Sequence, residues 1–270
     1  MAPMSNVFEQ VPAEVRRERI LAMVLEQEFV RVADLSTAFG ISDVTARADL
    51  DALEGRNMLR RVRGGAMAVG KRLREEPSFE EALSTSAIEK ALIGEAAAAL
   101  VNDGESITLD VGTTTTFIAR ALAARTELAE VVVFTNGLNI ALELEGAIPR
   151  LTVVLTGGTL RRRQHSLVDP LAHHIFDRIN TCTVFLGCNG VHPEAGITNI
   201  NLPEAEMKQR MLRAAAQRVV VADGSKIGQI QLAAVAPISE VDLLITGPSA
   251  DPRVLAALRE RGLRVEVVGP

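Results

Sequence analysis

Residues 41–66 read ISDVTARADLDALEGRNMLRRVRGGA, and this stretch decides the fold of the N-terminal part of the chain. Its first half predicts a helix that is N-capped by Ser42 and ends at Gly55. The preceding segment 32–40, VADLSTAFG, predicts a shorter helix that stops at Gly40, because glycine readily takes the left-handed conformation that follows a helix. The inner face of the longer helix is expected to carry Val44, Leu50 and Leu53. Two short helices joined by a tight turn predict a helix-turn-helix.

A β-hairpin rich in arginine is predicted directly after this pair of helices. Residues 58–69 alternate as a strand does and turn at Gly64 and Gly65, which indicates the wing of a winged helix. The spacing of apolar side chains over residues 16–27 predicts a further helix upstream. From Arg56 to Arg74 the chain has seven cations and no acid, so the other residues together carry −12 while the whole chain carries −5. The positive charge is therefore local.

The N-terminal module is expected to bind double-stranded DNA. Side chains near the start of the second helix of the pair can reach base edges, and cations of the hairpin can contact phosphates or the minor groove. A helical oligomerisation module is the alternative, but it would not require a cationic hairpin. The candidate DNA contacts are Ser42, Thr45, Arg47, Arg60, Arg61, Arg63 and Gly64.

Composition predicts a folded protein with two unequal domains. The chain has 270 residues, of which 47% are hydrophobic and 23% charged, as in ordinary globular proteins. The predicted boundaries are 12–70 for the winged helix-turn-helix, 71–85 for a charged linker and 86–268 for the larger domain. Its two cysteines lack the spacing of a disulfide framework or a zinc site, and no stretch has the length of a membrane span or the layout of a signal peptide. We expect a soluble, cytoplasmic protein without a metal or other cofactor.

The larger domain alternates short β-branched strands with helices. This alternation predicts a Rossmann-like α/β fold, in which a mostly parallel sheet is covered on both faces. A capping box of Ser86 and Glu89 is expected to begin its first helix. Further along the chain, helices are expected over residues 167–179 and 203–217.

Loops rich in Gly, Thr, Asn and Lys follow six of the predicted strands, at the edge where parallel sheets bind ligands. Glycine lets the backbone approach a ligand, while hydroxyls and free N–H groups at a helix start can hold phosphate oxygens. The most specific loop is DVGTTTT at 110–116, because four consecutive hydroxyls exceed what capping needs. Each loop alone fits an ordinary strand-to-helix turn, but together they predict a phosphorylated ligand. The six loops are 110–116, 135–137, 156–158, 187–190, 223–226 and 246–247.

Other polar clusters leave two interpretations open. The triplet Arg161 to Arg163 is either a solvated loop or a phosphate clamp, and Glu204 with Lys208 is either a surface ion pair or part of the ligand site. The motifs of phosphate loops, dinucleotide folds, serine hydrolases and zinc proteases do not occur. The four histidines lack the spacing of a metal site and are expected to be core or surface residues: His165, His173, His174 and His192.

Several motifs occur in one order along the chain: DVGTTTT, TNGLNIA, TGGTLR, FLGCNGV, GITN, EAEMKQRM and DGSKIG. With residues 41–66, they resemble the deoxyribonucleoside-repressor (DeoR) family of bacterial regulators over residues 15–268. The resemblance implies a sensor domain similar to ribose-5-phosphate isomerase, whose sugar-phosphate effector changes the affinity for DNA. It implies effector contacts at Asp110, Gly112, Thr113, Thr114, Thr115, Asn136, Gly157, Gly158, Arg161, Gly187, Glu204, Lys208 and Lys226. The chain departs from the family pattern at Ala48 (commonly arginine), Asp169 (commonly glycine) and Gly247 (often aspartate).

Three functions remain to be distinguished. We expect a homo-oligomeric repressor of carbohydrate or nucleoside metabolism genes that responds to a phosphorylated sugar. A sugar-phosphate isomerase is the first alternative, but the loop 186–190, LGCNG, holds no acid, whereas isomerases of this fold place acidic residues there. A DNA-binding oligomer that responds to no ligand is the second alternative.

Overall fold

The computed structural model describes residues 12–27, 29–56, 58–62, 64–68, 76–168 and 171–269. The chain divides between Arg74 and Glu75 into two compact units, and this division falls inside the predicted linker. Lys71, Arg72 and Arg74, which contribute to the predicted cationic stretch, lie outside the described residues. Among the described residues no helix is long and apolar enough to cross a membrane.

The first unit is a winged helix-turn-helix, as predicted. Its helices are α1 (Ala13–Gln27), α2 (Val32–Phe39) and α3 (Asp43–Gly55), and its strands are β1 (Phe29–Arg31), β2 (Leu59–Val62) and β3 (Gly65–Ala68). The three strands form one antiparallel sheet in the order β1-β3-β2, so the wing is the hairpin of β2 and β3. Gly40 follows α2 with a φ of 63°, which confirms the predicted left-handed stop.

The inner face of α3 differs from the prediction at one position. Val44 is 74% exposed, while Ala46, Leu50 and Leu53 are buried in the core of this unit. Val44 lies two residues, or about 200° of helix rotation, from Ala46, so both cannot face inward. Asp49 is also buried here, and it accepts hydrogen bonds from Nε of Arg16 (2.6 Å) and Nε of Arg17 (2.9 Å), which join α1 to α3.

The second unit is an α/β domain. Its helices are α4 (Phe79–Ser84), α5 (Ala87–Ala98), α6 (Thr113–Ala124), α7 (Leu138–Leu144), α8 (Ala172–Phe176), α9 (Leu202–Arg213) and α10 (Pro252–Glu260). Its strands are β4 (Ser106–Leu109), β5 (Val131–Thr135), β6 (Leu151–Leu155), β7 (Thr159–Arg161), β8 (Ser166–Val168), β9 (Thr181–Gly187), β10 (Gly190–His192), β11 (Gly196–Asn199), β12 (Ala215–Ala222), β13 (Ala233–Ala236), β14 (Leu243–Thr246) and β15 (Arg264–Val267).

A parallel sheet of seven strands, in the order β15-β14-β12-β9-β4-β5-β6, forms the centre of this unit. Each face of the sheet is covered by its own apolar layer. On β9, Val184 and Leu186 pack into one layer and Phe185 packs into the other, because successive side chains of a strand point to opposite faces. The predicted parallel sheet with two covered faces is confirmed. Two smaller antiparallel pairings, β10-β11-β13 and the β7–β8 hairpin, complete the unit.

The predicted capping box at Ser86 and Glu89 is wrong. Ser86 has a φ of 54° and its side chain makes no cap hydrogen bond. Glu89 is buried and accepts hydrogen bonds from the N–H of Gly224 (3.2 Å) and the hydroxyl of Ser249 (2.9 Å). The Glu89 carboxylate, which the sequence pattern predicted to cap the helix start, is therefore bound by donors that are distant in the sequence.

Two predicted helices are shorter than expected. Among the described residues of 167–179, Ala172–Phe176 is the helical part, while the N–H of Leu167 donates to the carbonyl of Asn136 in the neighbouring loop (2.7 Å). Asp169 and Pro170 lie outside the described residues. Over 203–217 the helix stops at Arg213, and residues 215–217 belong to β12, where pairing with β9 overrides the helix propensity of alanine.

Residues 76–84, which the sequence assigns to the linker, pack in the second unit. A capping box begins α4: Ser78 Oγ accepts the N–H of Glu81 (3.2 Å), and Glu81 Oε2 accepts the N–H of Ser78 (2.8 Å). The ring of Phe79 is buried. This segment is therefore part of the larger domain's surface.

Candidate effector site and nucleic-acid interface

A polar site lies at the carboxyl ends of three adjacent central strands. Asp110 follows β4, Asn136 follows β5 and Gly187 ends β9, and the order β9-β4-β5 brings these positions together. Helix α6 begins three residues after Asp110, and Lys208 reaches the same edge from α9. The structure thus gathers strand ends that the sequence places far apart.

An ion pair between Asp110 and Lys208 is the centre of this site. Nζ of Lys208 contacts Oδ2 of Asp110 and donates to the carbonyl of Gly187 (3.0 Å), whose N–H donates to the same Oδ2 (3.0 Å). Both side chains are almost fully buried. The other oxygen of Asp110, Oδ1, is buried without a hydrogen-bond partner among the described residues. A buried acceptor in this state suits a ligand hydroxyl.

Burial and charge oppose each other at this pair. Burial raises the pKa of Asp110 to about 6, although the Lys208 ammonium acts to lower it. Burial acts to lower the pKa of Lys208, but the charges of Asp110 and Glu204 outweigh it and the pKa is raised. At neutral pH both groups are therefore charged, and Oδ1 can accept but not donate a hydrogen bond.

Arg161 pairs with Glu204, which the sequence predicted for the site, and with Glu76, which it did not. Its Nη1 contacts Oε1 of Glu204, and its Nη2 donates to Oε2 of Glu76 (2.6 Å). Ser166 Oγ donates to the same Oε1 of Glu204 (2.6 Å), and Asn199 Nδ2 lies 3.5 Å from Oε2. Burial and the charge of Glu204 raise the pKa of Glu76. Glu76 and Ser166 carry no local signal, because long-range contacts alone bring them here.

The first turn of α6 has no capping side chain. Gly112 occupies the N-cap with a φ of 149°, a conformation that favours glycine, and so no side chain caps the first turn. The first N–H groups of a helix have no partner within it and carry the positive end of its dipole. The hydroxyls of Thr115 and Thr116 donate to the carbonyl of Gly112 (3.0 and 2.7 Å), so these two serve the helix itself. Thr113 and Thr114 complete the turn.

Asn136, also predicted as a contact, holds the site together. Its Oδ1 accepts the N–H of Val111 (3.0 Å) and its Nδ2 donates to the carbonyl of Leu167 (3.3 Å), so both ends of the buried amide are used. Gly157 and Gly158 follow β6 with φ values of 71° and 116° and lead into the β7–β8 hairpin. The carbonyl of Gly157 accepts the hydroxyl of Thr156 (3.0 Å), and the role of both glycines as effector contacts stays a prediction.

The two remaining strand ends, at 223–226 and 246–247, are closed by the chain itself. The Glu89 carboxylate accepts the N–H groups of Gly224 (3.2 Å) and Ser249 (3.3 Å). A Cβ at Gly247 would lie 2.0 Å from Oε1 of Glu89, so this glycine makes room for the carboxylate. The expectation that all six loops face a phosphate is therefore wrong for Gly224 and Gly247. Lys226 ends the 3-10 turn Gly224–Lys226 of this region, and its role as an effector contact stays a prediction.

The site holds little nucleophilic or metal-binding chemistry. Cys188, beside Gly187, is free, and burial raises the pKa of its thiol to about 12, so it is neutral at physiological pH. Cys182 is also free. No group of three or more His, Cys, Asp or Glu side chains in the described part of the chain is placed to hold a metal ion.

The predicted DNA-contacting residues lie at the start of α3 and on the wing. Ser42 Oγ accepts the N–H of Thr45 (3.1 Å) and shares a hydrogen bond with Thr45 Oγ1 (2.9 Å), which confirms Ser42 as the N-cap. The Arg47 side chain is 57% exposed and lies 4.0 Å from Asp43. Val44 is also exposed on this side of the helix start. This surface is available to base edges, and Arg47 is its principal cation.

Arg61 fastens the wing to α3. Its Nη1 donates to the carbonyl of Arg47 (3.0 Å) and to Oδ1 of Asp51 (2.7 Å), and its N–H donates to Glu54 (2.7 Å). Nη1 of its guanidinium is thus bound by protein acceptors, which was not expected from the sequence, while Nε is buried without a hydrogen-bond partner among the described residues. Gly64 lies exposed at the wing turn with a φ of 89°. Arg63 and the side chain of Arg60 lie outside the described residues.

Comparison with known proteins agrees with both units. Residues 16–72 match the DeoR-like helix-turn-helix domain, and residues 85–248 match the DeoR C terminal sensor domain. The chain belongs to the DeoR family of transcriptional regulators. This DeoR-family regulator is 35% identical over 255 residues to the HTH-type transcriptional regulator GlpR of Haloferax volcanii, with 94% of this chain and 97% of GlpR covered. It is 29% identical over 232 residues to the transcriptional repressor AccR of Agrobacterium fabrum, with 86% and 90% covered.

Among solved structures, the ribose 5-phosphate isomerase A of Methanocaldococcus jannaschii is similar to part of this chain. The TM-score is 0.37 and the identity 19%, over 51% of this chain and 52% of the isomerase. Because this TM-score is low, the fold is assigned from the strand order and from the match to the family model rather than from this likeness. The predicted DeoR resemblance is confirmed, and the protein is a DNA-binding transcriptional regulator with a sensor domain.

Proposed function

We propose that this DeoR-family regulator binds operator DNA and represses genes of carbohydrate or nucleoside metabolism until a phosphorylated sugar or related metabolite binds its sensor unit. The observation that carries the proposal is an uncapped helix start beside a buried carboxylate oxygen without a partner among the described residues. The helix start suits a phosphate, and the carboxylate oxygen suits a sugar hydroxyl. The name of AccR, a transcriptional repressor, supports the sign of regulation.

The site is better suited to binding than to turnover. Sugar isomerisation needs a positioned base and an acid partner beside the substrate carbonyl. Oδ2 of Asp110 is already bound by Lys208 and by the N–H of Gly187, and the adjoining loop 186–190 holds no acid. We therefore propose that the protein is not an enzyme.

The regulator should act in the cytoplasm as a homo-oligomer, a dimer or a tetramer. Association of sensor units places paired winged helices over repeated or palindromic half-sites, as symmetric DNA-binding proteins require. Each half-site is read by the start of α3, where Arg47 is exposed. Arg61 orients the wing that follows.

A gel-shift experiment on the protein's own promoter region tests the proposal. We expect the full chain to retard this DNA, and one or more members of a panel of pentose and hexose phosphates, but not the unphosphorylated sugars, to release it. Asp110→Asn should retain DNA binding but require at least about tenfold more effector, because a hydrogen bond to a charged group is lost. Asp103→Asn is the matched control, since Asp103 precedes β4 whereas Asp110 follows it.

Each alternative predicts a different result. Retardation that no phosphate ester alters would establish a ligand-independent DNA-binding oligomer, and a thermal-shift screen of the same panel would then show no stabilisation. Interconversion of any pentose or hexose phosphate by the purified protein would establish an isomerase. Absence of retardation under all conditions would refute the DNA-binding role.

A further inference from the structure

Arg161 is shared between the candidate site and the beginning of the α/β unit. One side of its guanidinium contacts Glu204 of the site, and the other donates to Glu76 (2.6 Å). Glu76 lies one residue after the beginning of that unit at Glu75. Both partners are largely buried, with side-chain exposures of 20% for Arg161 and 10% for Glu76. The first described residue before α4 is thus tied directly to a residue of the site.

Further contacts fasten the segment 76–80 to the β7–β8 hairpin. Gln164 Nε2 donates to the carbonyl of Pro77 (2.5 Å), and the N–H of Phe79 donates to the carbonyl of Arg163 (2.9 Å). The Phe79 ring packs on the imidazole of His165, with ring centroids 5.1 Å apart. His165 has a φ of 56°, which is rare for a residue with a Cβ, so the hairpin turn that receives the segment is strained.

The same hairpin is bound to the site on its other side. Ser166 Oγ donates to Glu204 (2.6 Å), and the carbonyl of His165 accepts the N–H of Leu138 (2.9 Å), at the start of α7. Leu167 exchanges hydrogen bonds with Asn136. A change at Glu204 or Arg161 therefore acts on a short hairpin that contacts both the site and the segment 76–80.

We propose that Glu76 competes with the phosphate of the effector for Arg161, so that effector binding releases the segment 76–80 from the hairpin. This inference rests on the proposed function and specifies the contacts by which effector binding would act on the segment 76–80. A phosphate is a strong bidentate partner for a guanidinium, and it can take the Nη2 position that the Glu76 carboxylate now occupies. Burial and the charge of Glu204 both disfavour the charged form of Glu76, and Arg161 is its hydrogen-bonded counterion. A phosphate that binds Arg161 more strongly is therefore expected to displace the Glu76 carboxylate. The segment 76–80 adjoins the linker that leads to the DNA-binding unit.

Hydrogen–deuterium exchange on the full chain, with inorganic phosphate as the probe, tests the inference. In the wild type, saturating phosphate should protect amides at 113–116 and speed exchange at 78–82. Glu76→Gln should show faster exchange at 78–82 without phosphate and bind phosphate about tenfold tighter, because the competing carboxylate is gone. Glu76→Asp keeps the charge but shortens the reach, so it should change both quantities in the same direction by a smaller factor. Glu260→Gln removes an exposed carboxylate of α10, outside both the segment 76–80 and the β7–β8 hairpin, as the matched control and should change neither quantity.

Each outcome decides the matter. If phosphate binds the wild type and Glu76→Gln with equal affinity, or protects residues 78–82, the proposed release of the segment 76–80 is wrong while the proposed effector-sensing function stands. If Glu260→Gln tightens phosphate binding as much as Glu76→Gln, net charge rather than displacement is the cause, and the proposed release of the segment 76–80 is again wrong. If phosphate protects no residue at 113–116, both this inference and the proposed anion site are refuted.

Discussion

At the scale of the residue, the Asp110 carboxylate lies at the centre of the candidate effector site. Asp110 is buried and ion-paired through Oδ2, yet its Oδ1 has no partner in the described part of the chain. An unpaired buried acceptor costs free energy, because it has lost its water. A ligand hydroxyl that supplies the missing hydrogen bond recovers that cost, which favours the bound state.

The pKa of Asp110 provides a prediction at this scale. Burial raises this pKa from 3.8 to about 6, so the folded state holds the proton more tightly than the unfolded chain does. Asp110 therefore favours folding below about pH 4 and loses that contribution as the pH rises to about 6. Lys208→Gln should raise the midpoint above the wild-type value, because the ammonium acts to lower it.

Carbon-13 NMR titration of the labelled aspartate carboxyl groups measures this midpoint. Lys226→Gln is the matched control, since the Lys226 charge is not among the principal causes of the Asp110 shift. A midpoint that falls in Lys208→Gln, or that moves equally in both variants, would contradict the ion pair described above.

At the scale of the element, helix starts and strand ends are either open or closed by the chain. Helix α6 follows its N-cap Gly112 without a capping side chain, and we propose that its first turn binds the effector. The ends of β12 and β14 instead receive the Glu89 carboxylate from α5, which binds the N–H groups of Gly224 and Ser249. The first turn of α6 thus has no capping side chain, whereas the ends of β12 and β14 are bound by a carboxylate of the protein.

Gly247→Ala tests the closed strand ends. The new Cβ would lie 2.0 Å from the Glu89 carboxylate, so Glu89 must leave its donors or the loop must shift. We expect the free energy of unfolding to fall by about 1–3 kcal/mol, the usual cost of overpacking, in urea unfolding monitored by circular dichroism. Gly146→Ala is the matched control, because no heavy atom lies within 4 Å of its added Cβ. Equal stability of the two variants would show that Glu89 is not held as described.

At the scale of the whole molecule, regulation requires that DNA and effector bind to different states of one protein. We propose that the basic stretch from Arg56 to Arg74 attracts DNA, within a chain whose overall charge is −5. An effector alters DNA affinity only through a difference in its own affinity for the DNA-competent and DNA-incompetent states.

Thermodynamic linkage makes this a prediction for the complete regulator. The phosphate ester that releases the promoter fragment should bind the protein–operator complex more weakly than the free protein, by the same factor by which it weakens DNA binding. Fluorescence titrations in both directions at one salt concentration measure the two factors. Scrambled DNA of equal length controls for non-specific charge. Identical effector affinity with and without operator would refute the coupling.

Local patterns in the sequence were sufficient for much of the architecture. Helix caps such as Ser42, the stop at Gly40 and the β-branched strands depend on neighbours along the chain, so the winged helix-turn-helix and the parallel sheet could be predicted. The strand-end motifs at Asp110 and Gly187 also placed the centre of the site, because parallel strands align their carboxyl ends at one edge.

Contacts between distant residues were beyond those patterns. Glu89 has the spacing of a capping box, but donors more than 130 residues away bind it more favourably. Glu76 lies in a charged segment whose sequence predicts a linker. It pairs with Arg161, 85 residues later, because the fold brings the β7–β8 hairpin beside it. The sequence predicts Arg61 as a cation that contacts DNA, but in the structure it donates a hydrogen bond to Asp51. Sequence alone determined the family, the two units and the edge of the sheet at which we propose that the effector binds. The tertiary structure decided which charged groups are satisfied within the protein and which are left for a ligand, because burial and pairing depend on neighbours that only the fold supplies.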